Sequence, residues 1–339
     1  MKFKDYLDYE LNTKKDMELQ DVIKMCYQAA FGAEHLLTDL DRARSYFDEE
    51  FDSIEERDIP LYEYISEDVA RVDLGAWKAS GMPKEWLFDL FVMATNESYG
   101  GEERMLENLQ LAKSVLGNDL EMSKYVDKYV EEGIRPVHHS QRYRDAHRPA
   151  YRLVDRKHLR LIPILMAARE MDGGVIVIDG PCASGKSTMS MQLAKVLDGD
   201  VVRVDDFFLP MDLRTEQRLA EAGGNVHYER FKEEVIPGLE SGQEFGYTRF
   251  DCSIMDYGSK VIVPVSKWRI VEGSYSHHPY FGIYGDIRVF SAIDAGEQMR
   301  RIKERNGEEM AKRFRNIWIP MENKYFEEYN IEAKADLRV

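Results

Sequence analysis

Val175-Ile176-Val177-Ile178-Asp179-Gly180-Pro181-Cys182-Ala183-Ser184-Gly185-Lys186-Ser187-Thr188 is the stretch that decides the reading of this chain. Its first four residues are a continuous β-branched run, which suits a strand buried on both faces of a parallel sheet. From Gly180 to Ser187 the residues satisfy G-x-x-x-x-G-K-[ST] in full and lead into a helical run, Thr188–Leu197. Strand, glycine-rich loop and helix in that order make a phosphate cradle. Gly180 and Gly185 let backbone amides close around an anion, and the helix N-terminus adds unpaired donors and a positive dipole end. Gly180, Ala183, Ser184, Gly185, Lys186, Ser187 and Thr188 are therefore expected to hold ATP. Lys186 supplies a mobile cation for the β- and γ-phosphates. The Ser187 hydroxyl is the expected Mg²⁺ ligand, because Mg²⁺ takes oxygen donors and shares its shell with substrate phosphates. Cys182 reads as a small residue that fits the loop, with thiol sensitivity as the alternative.

Downstream, strand candidates at Val201–Val204, Arg269–Val271, Ile287–Ser291 and Asp336–Val339 alternate with helical stretches. That alternation implies a doubly wound α/β domain of about five parallel strands over residues 171–339. The second strand ends in Val204-Asp205-Asp206-Phe207-Phe208-Leu209-Pro210, at the carboxyl edge where open α/β sheets bind ligands. A carboxylate there can accept the proton of an acceptor hydroxyl and fix its alignment with the γ-phosphate, which makes Asp205 the expected general base. The competing reading for Asp205 and Asp206 is capping of a helix or turn. Arg269-Ile270-Val271-Glu272-Gly273 is another apolar strand closed by an acid, and Glu272 is the expected second Mg²⁺ ligand. Between Asp294 and Arg315 lie Arg300, Arg301, Lys303, Arg305, Lys312, Arg313 and Arg315. They are dense enough to form a phosphoryl-covering lid, with Arg301 and Arg305 one helical turn apart on one face. The alternative is a solvated helix surface.

Upstream of Met171-Asp172-Gly173-Gly174, apolar residues recur at three and four positions, as in Leu19, Val22, Ile23, Cys26, Tyr27 and Ala30. Residues 1–170 are expected to form an all-α domain, with helices near 17–31, 40–53, 66–78, 83–97, 102–115, 120–131 and 150–171. The last should be interrupted at Pro163. Turn signals at Tyr99-Gly100-Gly101, Gly117-Asn118 and Glu132-Gly133 separate them, and the domain boundary belongs at 168–173. Between Arg135 and Arg160 stand eight basic residues against Asp145 and Asp155, together with four of the eight histidines. This island either binds an anionic metabolite, contributes to the acceptor site, or pairs with the acidic remainder of its own domain. Zinc is not expected, because His138, His139 and His147 lack a third ligand at ordinary spacing. His35 reads as a core or edge histidine.

Composition narrows the function classes. With 46 Lys and Arg against 62 Asp and Glu the formal net charge is −16, which repels nucleic acid. No apolar run reaches the ~20 residues of a membrane span, and the N-terminal residues lack a secretory core, so a cytoplasmic location is expected. Cys26, Cys182 and Cys252 are too few and too scattered for a disulfide framework. A homo-oligomer is allowed, but nothing in the sequence requires one.

From Val175 to Val339 the chain resembles the uridine kinase family of P-loop nucleoside kinases. Gly180–Thr188 is similar to the family's phosphate loop, and Asp205-Asp206-Phe207-Phe208 to its D-x-F-[YF] segment, which implies Asp205 as the base. The wording Asp-Asp-Phe-Phe-x-Pro is also close to nicotinamide riboside kinases. Ile270-Val271-Glu272-Gly273 resembles the family's strand end, and Tyr325-Phe326-Glu327-Glu328 with Ala335-Asp336-Leu337 its final helix and strand. The resemblance implies ATP, Mg²⁺ and a nucleoside-like hydroxyl acceptor, met by Asp206, His227, Tyr247, Arg249 and Asp251. The acceptor side departs from the family pattern. His227, in Gly224-Asn225-Val226-His227-Tyr228-Glu229-Arg230, stands where a ribose-binding Asp is expected, and Met255 near where a base-contacting His is expected. The expected reaction is transfer of the γ-phosphate of ATP to the hydroxyl of a nucleoside or related ribosyl compound. Alternatives are a kinase for a non-nucleoside alcohol, or an ATP-dependent switch signalling through the helical domain.

Overall fold

The computed structural model describes residues 1–339 except His35, Leu36, Thr38, Asn118 and Asp119. The expectations for His35 and Asn118 therefore lie outside the described residues. Two compact units divide the chain, Met1–Arg160 and Leu161–Val339.

The first unit runs α1 (Phe3–Thr13), α2 (Leu19–Phe31), α3 (Leu40–Ser53), β1 (Tyr62–Tyr64), β2 (Val69–Asp73), α4 (Leu74–Ala79), α5 (Lys84–Ala94), α6 (Gly101–Val115), α7 (Leu120–Glu131), α8 (Gln141–His147) and β3 (Tyr151–Asp155). It is mainly helical, as its periodicity implies. Val22, Ile23, Cys26 and Ala30 are the buried stripe of α2, which packs on α6. Two expected helices are corrected, however: 66–78 and 150–171 contain β2 and β3, which with β1 form an antiparallel sheet of order β1-β2-β3. Val69, Ala70, Arg71 and Val72 are all buried. A strand covered on both faces loses its alternation, and its apolar spacing then imitates a helix. Asp73 ends β2 and caps α4, its carboxylate accepting the Ala76 N–H at 2.9 Å.

The second unit runs α9 (Ile162–Ala168), β4 (Gly174–Asp179), α10 (Lys186–Leu197), β5 (Gly199–Arg203), α11 (Glu216–Leu219), α12 (Tyr228–Glu234), α13 (Ile236–Ser241), β6 (Phe245–Asp251), β7 (Asp256–Val263), β8 (Trp268–Glu272), β9 (Ile287–Phe290), α14 (Ala295–Arg313), α15 (Ile319–Tyr329), α16 (Ile331–Lys334) and β10 (Leu337–Arg338). Pro163 starts α9 rather than interrupting a longer helix, since a missing donor costs nothing in the first turn. Five strands form one parallel sheet of order β5-β8-β4-β9-β10. This is a doubly wound α/β fold with a glycine-rich loop after its central strand. Strand β4, buried from Val175 to Asp179, lies at its centre. Its neighbours arrive from both directions of the winding, so the loop after it opens at the topological switch point. Register aligns the carboxyl ends: Glu272 pairs with Ile178 on one side and Arg203 on the other. Gly180, Asp205 and Gly273 thus leave the sheet at one edge. The β6–β7 hairpin is a separate antiparallel pair that the sequence pattern did not single out. No described helix is long and apolar enough to cross a membrane.

Candidate active site

The loop between β4 and α10 is shaped by steric necessity at its first glycine. Gly180 has φ +141°, and a Cβ there would stand 2.3 Å from the Ser291 carbonyl oxygen. Ala183 adopts φ +62°, turning the loop, and Gly185 at φ +94° is the N-cap of α10. No side chain caps this twelve-residue helix. Its first-turn donors are thereby left for an anion.

Lys186 is buried, and its ammonium donates to Gly180 O at 2.7 Å, Pro181 O at 2.9 Å and Ser274 Oγ at 3.3 Å. Ser187 Oγ donates to Glu272 Oε2 at 3.2 Å, and Thr188 is exposed one residue further. Glu272 is buried at the end of β8, with Arg203 Nε 3.9 Å from Oε1. Desolvation, reinforced by the nearby Asp205 charge, holds its pKa above the usual carboxylate range against Lys186, Ser187 and Arg203. A hydroxyl and a carboxylate side by side are hard oxygen donors, the set that fits Mg²⁺. Among the described residues no cluster of three His, Cys, Asp or Glu forms an all-protein metal site.

Asp205 stands at the open rim and keeps solvent contact while protein crowds its other sides. That crowding raises its pKa, helped by Asp206 and opposed by Lys186, Arg203 and Arg305. Gly273 leaves room for it: a Cβ at Gly273 would lie 2.9 Å from Val204 Cβ and 3.4 Å from Asp205 Oδ1.

The remaining expected residues divide. Asp206 is buried, accepting the Tyr247 hydroxyl at 2.9 Å with Arg249 Nε 3.4 Å away, so these three are joined to one another. Tyr247 is itself buried, and burial with the Asp206 charge raises its pKa. His227 is half-buried, its N–H donating to Phe207 O at 2.7 Å, and burial lowers its pKa. Asp251 is not brought to the site by its carboxylate, which instead accepts the Ser253 N–H at 2.8 Å and hydroxyl at 2.6 Å in the β6–β7 turn. On α14, Arg301 donates to Ala183 O at 3.2 Å, tying this helix to the loop, and Arg305 forms no ion pair among the described residues. Arg300, Lys303 and Lys312 pair with Glu297, Glu308 and Glu309 on a solvated face. Gly307, at φ 78° and ψ 169°, breaks the helix just past Arg305. Burial, then Glu322, pushes the Cys182 thiol up to about 12, which disfavours the thiolate.

Three positioning residues escaped the sequence reading. Asp179, fully buried, accepts the N–H groups of Gly180 at 2.6 Å, Tyr275 at 3.1 Å and His277 at 2.8 Å, and the Tyr325 hydroxyl at 2.8 Å. Ser274 and Glu322 bind the loop's other side. Asp179 and Ser274 adjoin recognised motifs, which is a usable signal; Glu322 carries none.

In the first unit the basic island is taken up largely by local acids. His139 meets Asp21 and Tyr151, Arg142 and His147 meet Asp16, Arg152 meets Glu50, and Arg135 meets Glu132.

No protein-family model matches the chain, and no curated protein matches it. Among solved structures it is similar to a protein from Bacillus stearothermophilus described as a possible uridine kinase, with 19% identity and a TM-score of 0.43 over 54% of this chain and 97% of that one. It is also similar to a candidate fructose transport system kinase from Silicibacter sp. TM1040, with 19% identity and a TM-score of 0.44 over 53% and 97% of the two chains.

Proposed function

We propose that residues 171–339 form an ATP-dependent kinase that transfers the γ-phosphate to a hydroxyl of a small molecule, a nucleoside or related ribosyl compound. The observation that carries this reading is the convergence of Lys186, Ser187, Glu272 and Asp205 on one sheet edge beside an uncapped helix N-terminus. Amides of Ala183 and Gly185–Thr188 and the Lys186 ammonium bind the triphosphate. Ser187 and Glu272 hold Mg²⁺, which when bound neutralises phosphate charge. Asp205 takes the proton of the acceptor hydroxyl as its oxygen forms a bond to the γ-phosphorus and the bond to the leaving β-phosphate oxygen breaks. Arg301 and Arg305 on α14 cover the transferred group.

The test is a metabolite pool incubated with γ-labelled ATP. A labelled phosphomonoester that forms with wild type and not with Lys186→Ala supports the reading. Slow ATP hydrolysis with no labelled acceptor in any pool favours an ATP-dependent switch instead.

A further inference from the structure

We propose that the phosphate acceptor carries an anionic group, a phosphate or a carboxylate, in addition to the hydroxyl that is phosphorylated, and that Arg214 and Arg249 bind it. This rests on the kinase reading above and narrows its substrate class.

The mouth around Asp205 holds a group of cations among the carboxylates of Asp206, Asp251 and Glu272. Lys186, Arg203 and Arg305 all act on the Asp205 carboxyl. These cations have a partner in the reading above, because Lys186 and Arg305 belong to the loop and lid that hold a triphosphate and Arg203 leans on Glu272. Arg214 and Arg249 lie elsewhere, on the segments that follow Asp205 and Asp206 and form the acceptor side.

Arg249 projects from β6 with its side chain 49% exposed and its Nε 3.4 Å from Asp206 Oδ1, and its terminal nitrogens form no hydrogen bond among the described residues. Arg214 is held at its base, Nε donating to Leu209 O at 2.7 Å, and it forms no ion pair among the described residues. The Leu209 N–H in turn donates to Asn225 O at 3.0 Å, which fixes Arg214 against the strip carrying His227. Cys252, in the hairpin turn, lies within electrostatic reach of Arg214, Asp205, Asp251 and Arg249 alike, and Arg249 is tied to this edge by its 3.4 Å approach to Asp206, the neighbour of Asp205.

The same strip presents two orphaned polar atoms. Among the described residues Asn225 Oδ1 and His227 Nδ1 are buried without a hydrogen-bond partner, the Asn225 amide meeting Tyr275 by its other end, although buried polar atoms are rarely left so without a ligand or water to meet. A guanidinium fork matches carboxylate and phosphate oxygens in pairs. An uncharged acceptor would leave both forks unused beside the base. An acceptor with an anion at one end and a hydroxyl at the other would use them, and would be oriented with that hydroxyl toward Asp205.

The experiment isolates whichever compound gains label from γ-labelled ATP in a Lys186-dependent manner and determines its structure by mass spectrometry, which separates a phosphate from a carboxylate. The expected product bears the new phosphate and a second anionic group. With that acceptor, Arg214→Met and Arg249→Met should each lower kcat/KM at least about ten-fold, mainly through KM, with Arg249→Lys partly restoring it. MgATP affinity, read by titration, should stay within about two-fold. A product whose only anion is the transferred phosphate overturns the inference, as do methionine variants within about two-fold of wild type, and either result leaves the kinase reading intact. Failure of every pool to yield a Lys186-dependent product overturns the kinase reading, and this inference with it.

Discussion

Glu322 Oε2 accepts the backbone N–H of Cys182 at 2.9 Å while Oε1 accepts the Ser274 hydroxyl at 2.9 Å, so one buried carboxylate on α15 holds both sides of the phosphate loop. Ser274 Oγ lies 3.0 Å from Gly180 O and 3.3 Å from Lys186 Nζ, which carries the restraint to the cation itself. Glu322→Gln keeps the volume but turns an amide donor toward one of two donors. It should weaken MgATP binding about ten-fold, the cost of one unmet buried donor being roughly 1–3 kcal/mol. Titration calorimetry reads this directly, and wild-type affinity would remove Glu322 from the loop's support.

Gly180 tolerates no side chain. A Cβ 2.3 Å from Ser291 O at φ +141° forces β4 and β9 apart or unwinds the loop. Gly180→Ala should cost more than about 2 kcal/mol and abolish ATP binding. Thermal melting with and without MgATP measures both, and a normal melt with a normal nucleotide-induced rise would refute the steric reading.

The Ser187–Glu272 hydrogen bond predicts a metal phenotype distinct from a nucleotide one. Glu272→Gln replaces an anionic oxygen donor by a neutral amide. Half-saturating Mg²⁺ should rise about ten-fold or more, while metal-free ATP binding changes little. Turnover titrated with Mg²⁺ at fixed ATP gives the answer, and an unchanged Mg²⁺ requirement would assign Glu272 a structural role.

The first unit should be acid-sensitive through His139. Its Nδ1 lies 2.9 Å from Asp21 Oδ1 and its Nε2 2.8 Å from the Tyr151 hydroxyl, which assigns the neutral ring with Nδ1–H donating to Asp21. Burial first, then Arg71 and Lys24, lowers its pKa to about 4 from 6.5, against the pull of Asp21. Between those values the unfolded chain binds the proton and the folded unit does not. Stability is therefore full above about pH 6.5 and declines as pH falls toward 4, by up to about 1.4 kcal/mol per pH unit. Asp21, whose carboxyl is held to about 2 when hydrogen bonds from His139 and Ser140 outweigh desolvation, adds its own loss only at lower pH. Urea unfolding of the full chain at pH 7 and pH 4.5 should show this decline in wild type and a flatter one in His139→Gln.

Legibility in the sequence followed how local each signal was. The β4 run and the Gly180–Ser187 spacing are contiguous, and Asp205 and Glu272 each end an apolar run, so the cradle and its carboxylates could be read directly. Glu322 is one of 62 acids and reaches the loop only through the packing of α15, which no local pattern encodes. Arg71 hides β2 for a related reason. A buried guanidinium bonded to Gln28 and Tyr6 sits where an apolar residue is expected, and the strand loses its period. The β6–β7 hairpin turns through Asp251, Cys252, Ser253, Ile254 and Met255 with no glycine, so no turn signal marked it.

The measurement that bears most directly on the central claim is single-turnover transfer of the γ-phosphate to the identified acceptor by wild type and by Asp205→Asn, with MgATP affinity determined on the same preparations. The variant should bind MgATP within about two-fold of wild type and transfer at least about a hundred-fold more slowly. Transfer at the wild-type rate, with the nucleotide equally bound, would show that the carboxylate at the end of β5 is not the group that receives the acceptor's proton.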